Sequence, residues 1–379
     1  MDWKGKEEVL EKGLPKYGDG IAWFRGSMIG KGGFGSVYLA TSKNPRSKNS
    51  YFPSVMAVKS AEVSVSGSIQ KEREVYSNVK GCPNIIRCIG EETTIGENGM
   101  MAYNLLLEYG SGGTLSDRIK KLGGNGLSES EVRVYARSIL QGLNHIHGIG
   151  YVHCDLKPDN VLLVHSRRIT GDYEFRAKIG DFGLAKRLQG NKKRKLEPHL
   201  RGTLEYLAPE AVVDSVQEFP SDIWGFGCIV LEMLTGKPPW DGGKGSNAED
   251  ILRKIKEGHI LPKIPNYISK KARDFLKGCF VRKPMFRLTA EMLLNHPFIE
   301  GLGGNGDEDE ESEEVEDLNE IESILLVHES DDEFNSSLSQ DYCSLDAGEE
   351  SEEDVEDELE SNFDEENQKK KLRVSRAHL

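Results

Sequence analysis

Apolar and polar positions follow one period in the first third of the chain and another in the rest. Residues 36–40 (SVYLA), 54–59 (SVMAVK) and 103–109 (YNLLLEY) are rich in β-branched, aromatic and aliphatic side chains and are separated by polar loops, which predicts strands. From residue 131 the apolar positions recur every three to four. EVRVYARSILQGLNHIH at 131–147 and ARDFLKGCF at 272–280 each gather them on one face, which predicts helices. The same spacing in SIQKEREVYSNV puts Ile69, Glu72, Tyr76 and Val79 on one side of a helix. A carboxylate inside an apolar stripe is costly to bury unless a cation meets it. Strands first and helices afterwards predict an α+β chain of two lobes. The polar stretch 41–54 is far longer than the roughly 2 to 5 residues of an ordinary hairpin connection and reads as an insertion between two strands.

Charge divides the chain near residue 300. Residues 301–379 hold 29 Asp plus Glu against 5 Lys plus Arg, leaving 34 against 44 in residues 1–300, so the net charge of -14 describes neither part. A basic folded part suits anionic ligands. The acidic block has too little apolar surface to fold alone and is expected to be a disordered tail. The expected division is an extension over 1–22, a folded unit over 23–299 and the tail over 300–379.

The first residues, MDWKGKEEVLEKG, lack an apolar core of signal-peptide length, and Asp2 removes the myristoylation reading. The longest apolar stretch, 223–234, is too short for a bilayer and contains Glu232. Six cysteines, at 82, 88, 154, 228, 279 and 343, lack the paired spacing of zinc sites and point to free thiols in a reducing compartment. The expectation is a soluble protein of the cytoplasm, the nucleus or both, with neither membrane nor nucleic acid as partner.

Gly30, Gly32 and Gly35 form G-x-G-x-x-G, whose missing side chains let backbone amides approach phosphates. In a chain with 41 glycines the pattern alone proves little. The dinucleotide-binding version needs a helix directly after it. Here Val37 follows and a second strand pattern begins. Lys59, in AVK at 57–59, lies on the next strand and is the natural partner for Glu72, with Glu74 as the alternative. HCDLKPDN at 153–160 resembles the catalytic-loop pattern H-R-D-L-x-x-x-N, which implies Asp155 as a base that orients an attacking hydroxyl and Asn160 as a metal ligand. Twenty-one residues after Asn160 comes Asp181-Phe182-Gly183, and 25 after Gly183 comes Ala208-Pro209-Glu210. Asp181 and Asn160 supply the hard oxygens that Mg²⁺ prefers.

With these motifs in this order, residues 24–299 resemble a eukaryotic protein kinase domain, with a strand-rich N-lobe over about 23–108 and a helical C-lobe over about 109–299. The resemblance implies ATP and Mg²⁺ as cofactors. It implies nucleotide contacts from Ile29, Gly30, Gly32, Gly35, Val37, Ala57, Lys59, Glu72, Leu107, Glu108 and Tyr109, with Leu107 at the back of the adenine pocket. Lys157 resembles the lysine that serine/threonine kinases set against the transferred phosphate. Thr203, in GTLEYLAPE, is expected to touch Asp155 and Lys157. Asp222 resembles the aspartate that braces the catalytic loop, and Arg287 the arginine that pairs with Glu210. Within the class, GSVYLA, LLEYGSGGTL, TGKPPW and LLNHPFI look most like MEKK-type mitogen-activated protein kinase kinase kinases. The acidic tail is similar to that of their short plant members. A MAP kinase kinase is then the expected substrate, and a kinase-fold scaffold the alternative function.

Cys154 departs from the pattern, standing where an arginine usually precedes the catalytic aspartate. From Asp181 to Glu210 the only hydroxyl side chains are Thr203 and Tyr206. Both observations lead to the expectation of a kinase not switched on by activation-loop phosphorylation. The basic run 191–195 is expected to be a solvated face, with a site for the acidic tail or an acidic substrate as the alternative, the apolar spacing in 313–329 a docking helix or one without a partner, and the tail a modest autoinhibitor.

Overall fold

The computed structural model describes residues 17–44, 52–96, 99–167, 173–188, 200–240, 248–257 and 261–300. The expectations for the acidic tail, the basic run 191–195 and the middle of the 41–54 insertion lie outside them.

The first half is one antiparallel sheet. Its strands β1 (Trp23–Gly32), β2 (Gly35–Ser42), β3 (Val55–Glu62), β4 (Cys88–Ile95) and β5 (Met101–Leu107) stand in the order β1-β2-β3-β5-β4. Between β3 and β4 runs helix α1 (Gly67–Val79), which buries the stripe read from the sequence, Ile69, Glu72, Tyr76 and Val79, together with Val75. Val37 sits opposite Lys59 across β2 and β3, and Ala57 opposite Leu107 across β3 and β5.

Residues 17–22, which lead into β1, pack on the sheet. The Tyr17 carbonyl accepts from the Thr94 hydroxyl at 2.6 Å, and the Ile21 N–H donates to Glu92 at 2.7 Å. The Gly18 carbonyl also receives Arg25, whose guanidinium further reaches Ser60 Oγ and Asn104 Oδ1 and lies 4.8 Å from the Tyr38 ring. Burial lowers the Arg25 pKa to about 10, against the pull of Tyr38 and Asp19.

The second half is helical. Helices α2 (Leu115–Lys120) and α3 (Glu129–Gly148) precede a two-residue strand β6 (Tyr151–Val152) that pairs with β9 (Lys186–Arg187). Strands β7 (Val161–Arg167) and β8 (Tyr173–Ile179) pair antiparallel. Then come α4 (Pro209–Asp214), α5 (Phe219–Thr235), α6 (Ala248–Glu257), α7 (Lys270–Cys279), α8 (Ala290–Leu294) and α9 (Pro297–Glu300). Helix α5 is apolar nearly all round and is correspondingly enclosed, with Trp224, Phe226, Ile229 and Met233 fully buried. Its start is fixed by a capping box between Glu218 and Ser221 with Pro220 in the first turn, and its end by Gly236 in the left-handed conformation. Asp222 is therefore held at a defined place on a rigid element.

Candidate active site

Lys59 is carried into the interior by β3, between buried Val58 and Ser60. Its ammonium donates to Glu72 Oε2 at 2.7 Å and to Asp181 Oδ1 at 2.8 Å. Glu72 is 1% exposed, whereas Glu74 lies on the solvent side, so the structure chooses between the two candidates. The other Glu72 oxygen, Oε1, is buried without a hydrogen-bond partner. Burial pushes the Glu72 carboxyl up to about 7, with Lys59 opposing. Burial works against the charge on Lys59, yet Glu72 and then Asp181 carry its pKa above the ordinary value. Burial likewise opposes ionisation of Asp181, and Lys59 overrides it, leaving that carboxylate below its ordinary range.

The second cluster lies in the loop before β7. Asp155 Oδ1 accepts from the Thr203 hydroxyl at 2.8 Å, and Lys157 Nζ donates to Thr203 Oγ1 at 2.7 Å and stands 3.2 Å from Asp155 Oδ2. Asn160 gives its side-chain N–H groups to the Asp155 carbonyl at 2.7 Å and to Oδ2 at 3.2 Å. The loop is held from below by Asp222, which accepts from the His153 N–H at 2.8 Å, the Cys154 N–H at 3.0 Å and the His147 ring at 2.9 Å. Cys154 adopts a left-handed φ of 66° and Asp181 one of 56°, conformations that a non-glycine residue keeps only where its surroundings enforce them. Both flank the chemistry.

The two clusters are joined through residue 180. Gly180 N–H donates to Asn160 O at 2.9 Å, and the His153 ring meets Gly180 O at 3.0 Å. Phe182 then packs between Tyr76 of α1 and His153, with 5.1 Å between ring centroids on each side. The sequence alone does not reveal this bridge. Its only trace was the aromatic Tyr76 four residues beyond Glu72.

The glycine segment shows two different needs. A Cβ on Gly35, at φ 149°, would sit 2.5 Å from Ser60 O, so the fold itself requires glycine there. A Cβ on Gly32 would meet nothing within 4 Å. That open space leaves room for a phosphate to approach its backbone. Gly30 faces Val37 across the hairpin, and Ile29 is 46% exposed beside it. Leu107 and Ala57 are buried opposite each other, while Tyr109 packs half-buried on the core. The Glu108 carboxylate is bound to Lys178 at 2.8 and 2.9 Å and to the Arg87 N–H, which leaves nucleotide contact to its backbone.

The donor set also fits a divalent metal. Asn160 uses its N–H groups on Asp155, so its oxygen is the atom left for a cation. Asp181 has Oδ1 on Lys59, and its side chain stays 42% exposed. An amide oxygen and a carboxylate oxygen with room beside them suit a hard cation that also carries phosphate.

A buried lysine–carboxylate pair facing a base with its own lysine and threonine has the makeup of a phosphoryl-transfer site. Residues 23–299 match the family described as "Protein kinase domain", and the chain belongs to that family. It is 44% identical over 281 residues to "Mitogen-activated protein kinase kinase kinase 20" of Arabidopsis thaliana, covering 74% of this chain and 78% of the relative. It is 38% identical to "Mitogen-activated protein kinase kinase kinase 17" (74% and 70% covered) and 36% identical to "Mitogen-activated protein kinase kinase kinase 18" (73% and 77%) of the same plant. The chain is a protein serine/threonine kinase, which uses ATP with a divalent metal and takes proteins as substrates.

Proposed function

We propose that this kinase acts as a MAP kinase kinase kinase, phosphorylating serine or threonine of a MAP kinase kinase. The observation that carries the reading is the hydrogen-bonded set of Asp155, Lys157 and Thr203, in a chain 44% identical to a relative of that name. The metal is Mg²⁺, held by Asn160 and Asp181. Bound Mg-ATP supplies the γ-phosphoryl group and the charge neutralisation that its transfer needs.

Each residue has a task that follows from its position. Lys59, fixed by Glu72, orients the α and β phosphates, and Gly30, Gly32 and Gly35 let backbone N–H groups approach them. Asp155 accepts the proton of the substrate hydroxyl and aims its oxygen. Lys157 lies 3.2 Å from Asp155 and so places a positive charge where the transferred group gathers negative charge. Thr203 ties the substrate-side loop to the base. Asp222 and His153 hold the base loop still, acting through it. Ile29, Val37, Ala57, Leu107 and the backbone at Glu108 and Tyr109 enclose the adenine.

Cys154 removes the cation that would read an activation-loop phosphate. The hydroxyls of Thr203 and Tyr206 are already engaged, the latter with Glu232 at 2.6 Å. Control by phosphate in 184–202 is therefore not part of this reading, and mass spectrometry of the active enzyme showing a stoichiometric phosphate there would overturn that element. The scattered free cysteines support a cytoplasmic or nuclear location, which fractionation of cells checks.

The function is tested with γ-labelled ATP and a catalytically inactive MAP kinase kinase. Label on serine or threonine that vanishes with Lys59→Met supports it. Transfer to generic protein substrates but to no MAP kinase kinase contradicts the substrate assignment.

A further inference from the structure

We infer that a groove on the helical half docks an acidic segment of the protein substrate, anchored by an apolar side chain. The inference rests on the protein kinase reading and concerns how that substrate is recruited. The groove, of about 430 Å³, lies between the end of α5, residues 237–240, helix α6 and residues 261–267. Three lysines line it, Lys237, Lys254 and Lys263, and no carboxylate does among the described residues. None of the three is paired with a carboxylate among the described residues, whereas the α6 carboxylates Asp250 and Glu257 are drawn to Arg253.

The apolar side of the groove is equally uneven. Trp240 forms a buried wall, while Leu261 is 45% and Tyr267 76% exposed at the rim. An exposed aromatic beside a basic patch leaves apolar surface in water that a partner's side chain can cover. Charge complementarity then selects an acidic partner segment.

Position links the groove to the chemistry. Trp240 Nε1 donates to Glu205 O at 3.0 Å, and Glu205 is two residues from Thr203. A segment held here tethers the rest of its protein beside the base, raising the local concentration of the target hydroxyl without touching the reacting atoms.

Two readings on the full-length chain test this, comparing wild type with Lys237→Glu/Lys254→Glu/Lys263→Glu and with Tyr267→Ala. In the first, fluorescence anisotropy follows a labelled peptide of Glu and Leu. The triple variant is expected to bind it about tenfold more weakly or worse, wild-type binding is expected to fall as salt rises, and Tyr267→Ala to weaken it less. In the second, the triple variant raises KM for an inactive MAP kinase kinase while kcat, and turnover of a short serine peptide without acidic residues, stay the same. Unchanged affinity in the triple variant, or equal binding of a Lys and Leu peptide, overturns the proposal. So does concentration-dependent dimerisation abolished by the same reversals, which would give the groove to a second copy. If the kinase reading itself failed, no substrate would be phosphorylated and the anisotropy would still report on the groove.

Discussion

The Lys59–Glu72 pair in the sheet half and the Arg287–Glu210 pair in the helical half each close at 2.7 Å between buried side chains. Around Arg287 every requirement is met. Its guanidinium binds both Glu210 oxygens, at 2.7 and 3.0 Å, and the carbonyls of Pro220 and Val281, and it lies 5.2 Å from the Trp224 ring. Glu210 also accepts from Ser221. Around Lys59 one cation serves two carboxylates, and Glu72 Oε1 has no partner. A pair with all its bonds made holds a shape. A pair whose cation is shared, beside an open cleft, can re-aim at an incoming anion.

The sharpest way to break that contrast is to delete each cation. Arg287→Met leaves Glu210 buried and uncompensated, and is expected to lower unfolding free energy by about 3–5 kcal/mol in urea titration. Activity per folded molecule should survive. Lys59→Met is expected to reduce phosphate transfer by about 10²–10³-fold while urea stability changes little, because Glu72 already tends to take up a proton. Large destabilisation by Lys59→Met, or none by Arg287→Met, erases the distinction.

Acid gives a smaller and more specific effect. The Glu72 pKa is raised from 4.5 to about 7, so in that window the folded protein holds a proton that the unfolded chain has lost. This group's contribution to folding is thus present below its unfolded value and lost as pH rises through about 7. Transfer runs the other way, because Lys59 needs the ionised partner. kcat/KM is expected to fall about tenfold per pH unit below 7, and Glu72→Gln to flatten that limb at a low level. Asp181, held below its ordinary range, does not contribute there.

Gly32→Ala is expected to have the smallest effect. Nothing in the fold meets the added methyl, so thermal stability should hold while KM for ATP rises a few-fold, roughly 1 kcal/mol of lost binding. A lower melting temperature with unchanged KM would show that Gly32 serves the fold instead.

These residues were legible in the sequence to different degrees for physical reasons. Asp155, Asn160 and Asp181 stand out because chemistry fixes both residue type and spacing, and Lys157 through the resemblance to serine/threonine kinases. Glu72 stood out because a carboxylate on an apolar stripe is anomalous. The edge strand β4, CIGEETTI, does not show as a strand in the sequence, since Gly and two Glu mask the pattern, and its pairing with β5 overrides them. Two-residue strands such as β6 and β9 carry no period at all. The setting of Arg25 draws on residues 17–19, β2, β3 and β5, and no local window contains it. The docking of residues 17–22 on the sheet is invisible to a local window for the same reason.

The claim at the centre of this account is that Asp155 receives the proton of the acceptor hydroxyl. Single-turnover transfer of labelled γ-phosphate to substrate serine, with nucleotide affinity measured on the same samples, tests it directly. Asp155→Asn is expected to bind ATP as the wild type does and to transfer phosphate about 10²–10⁴-fold more slowly. Transfer at an undiminished rate by Asp155→Asn would contradict the account.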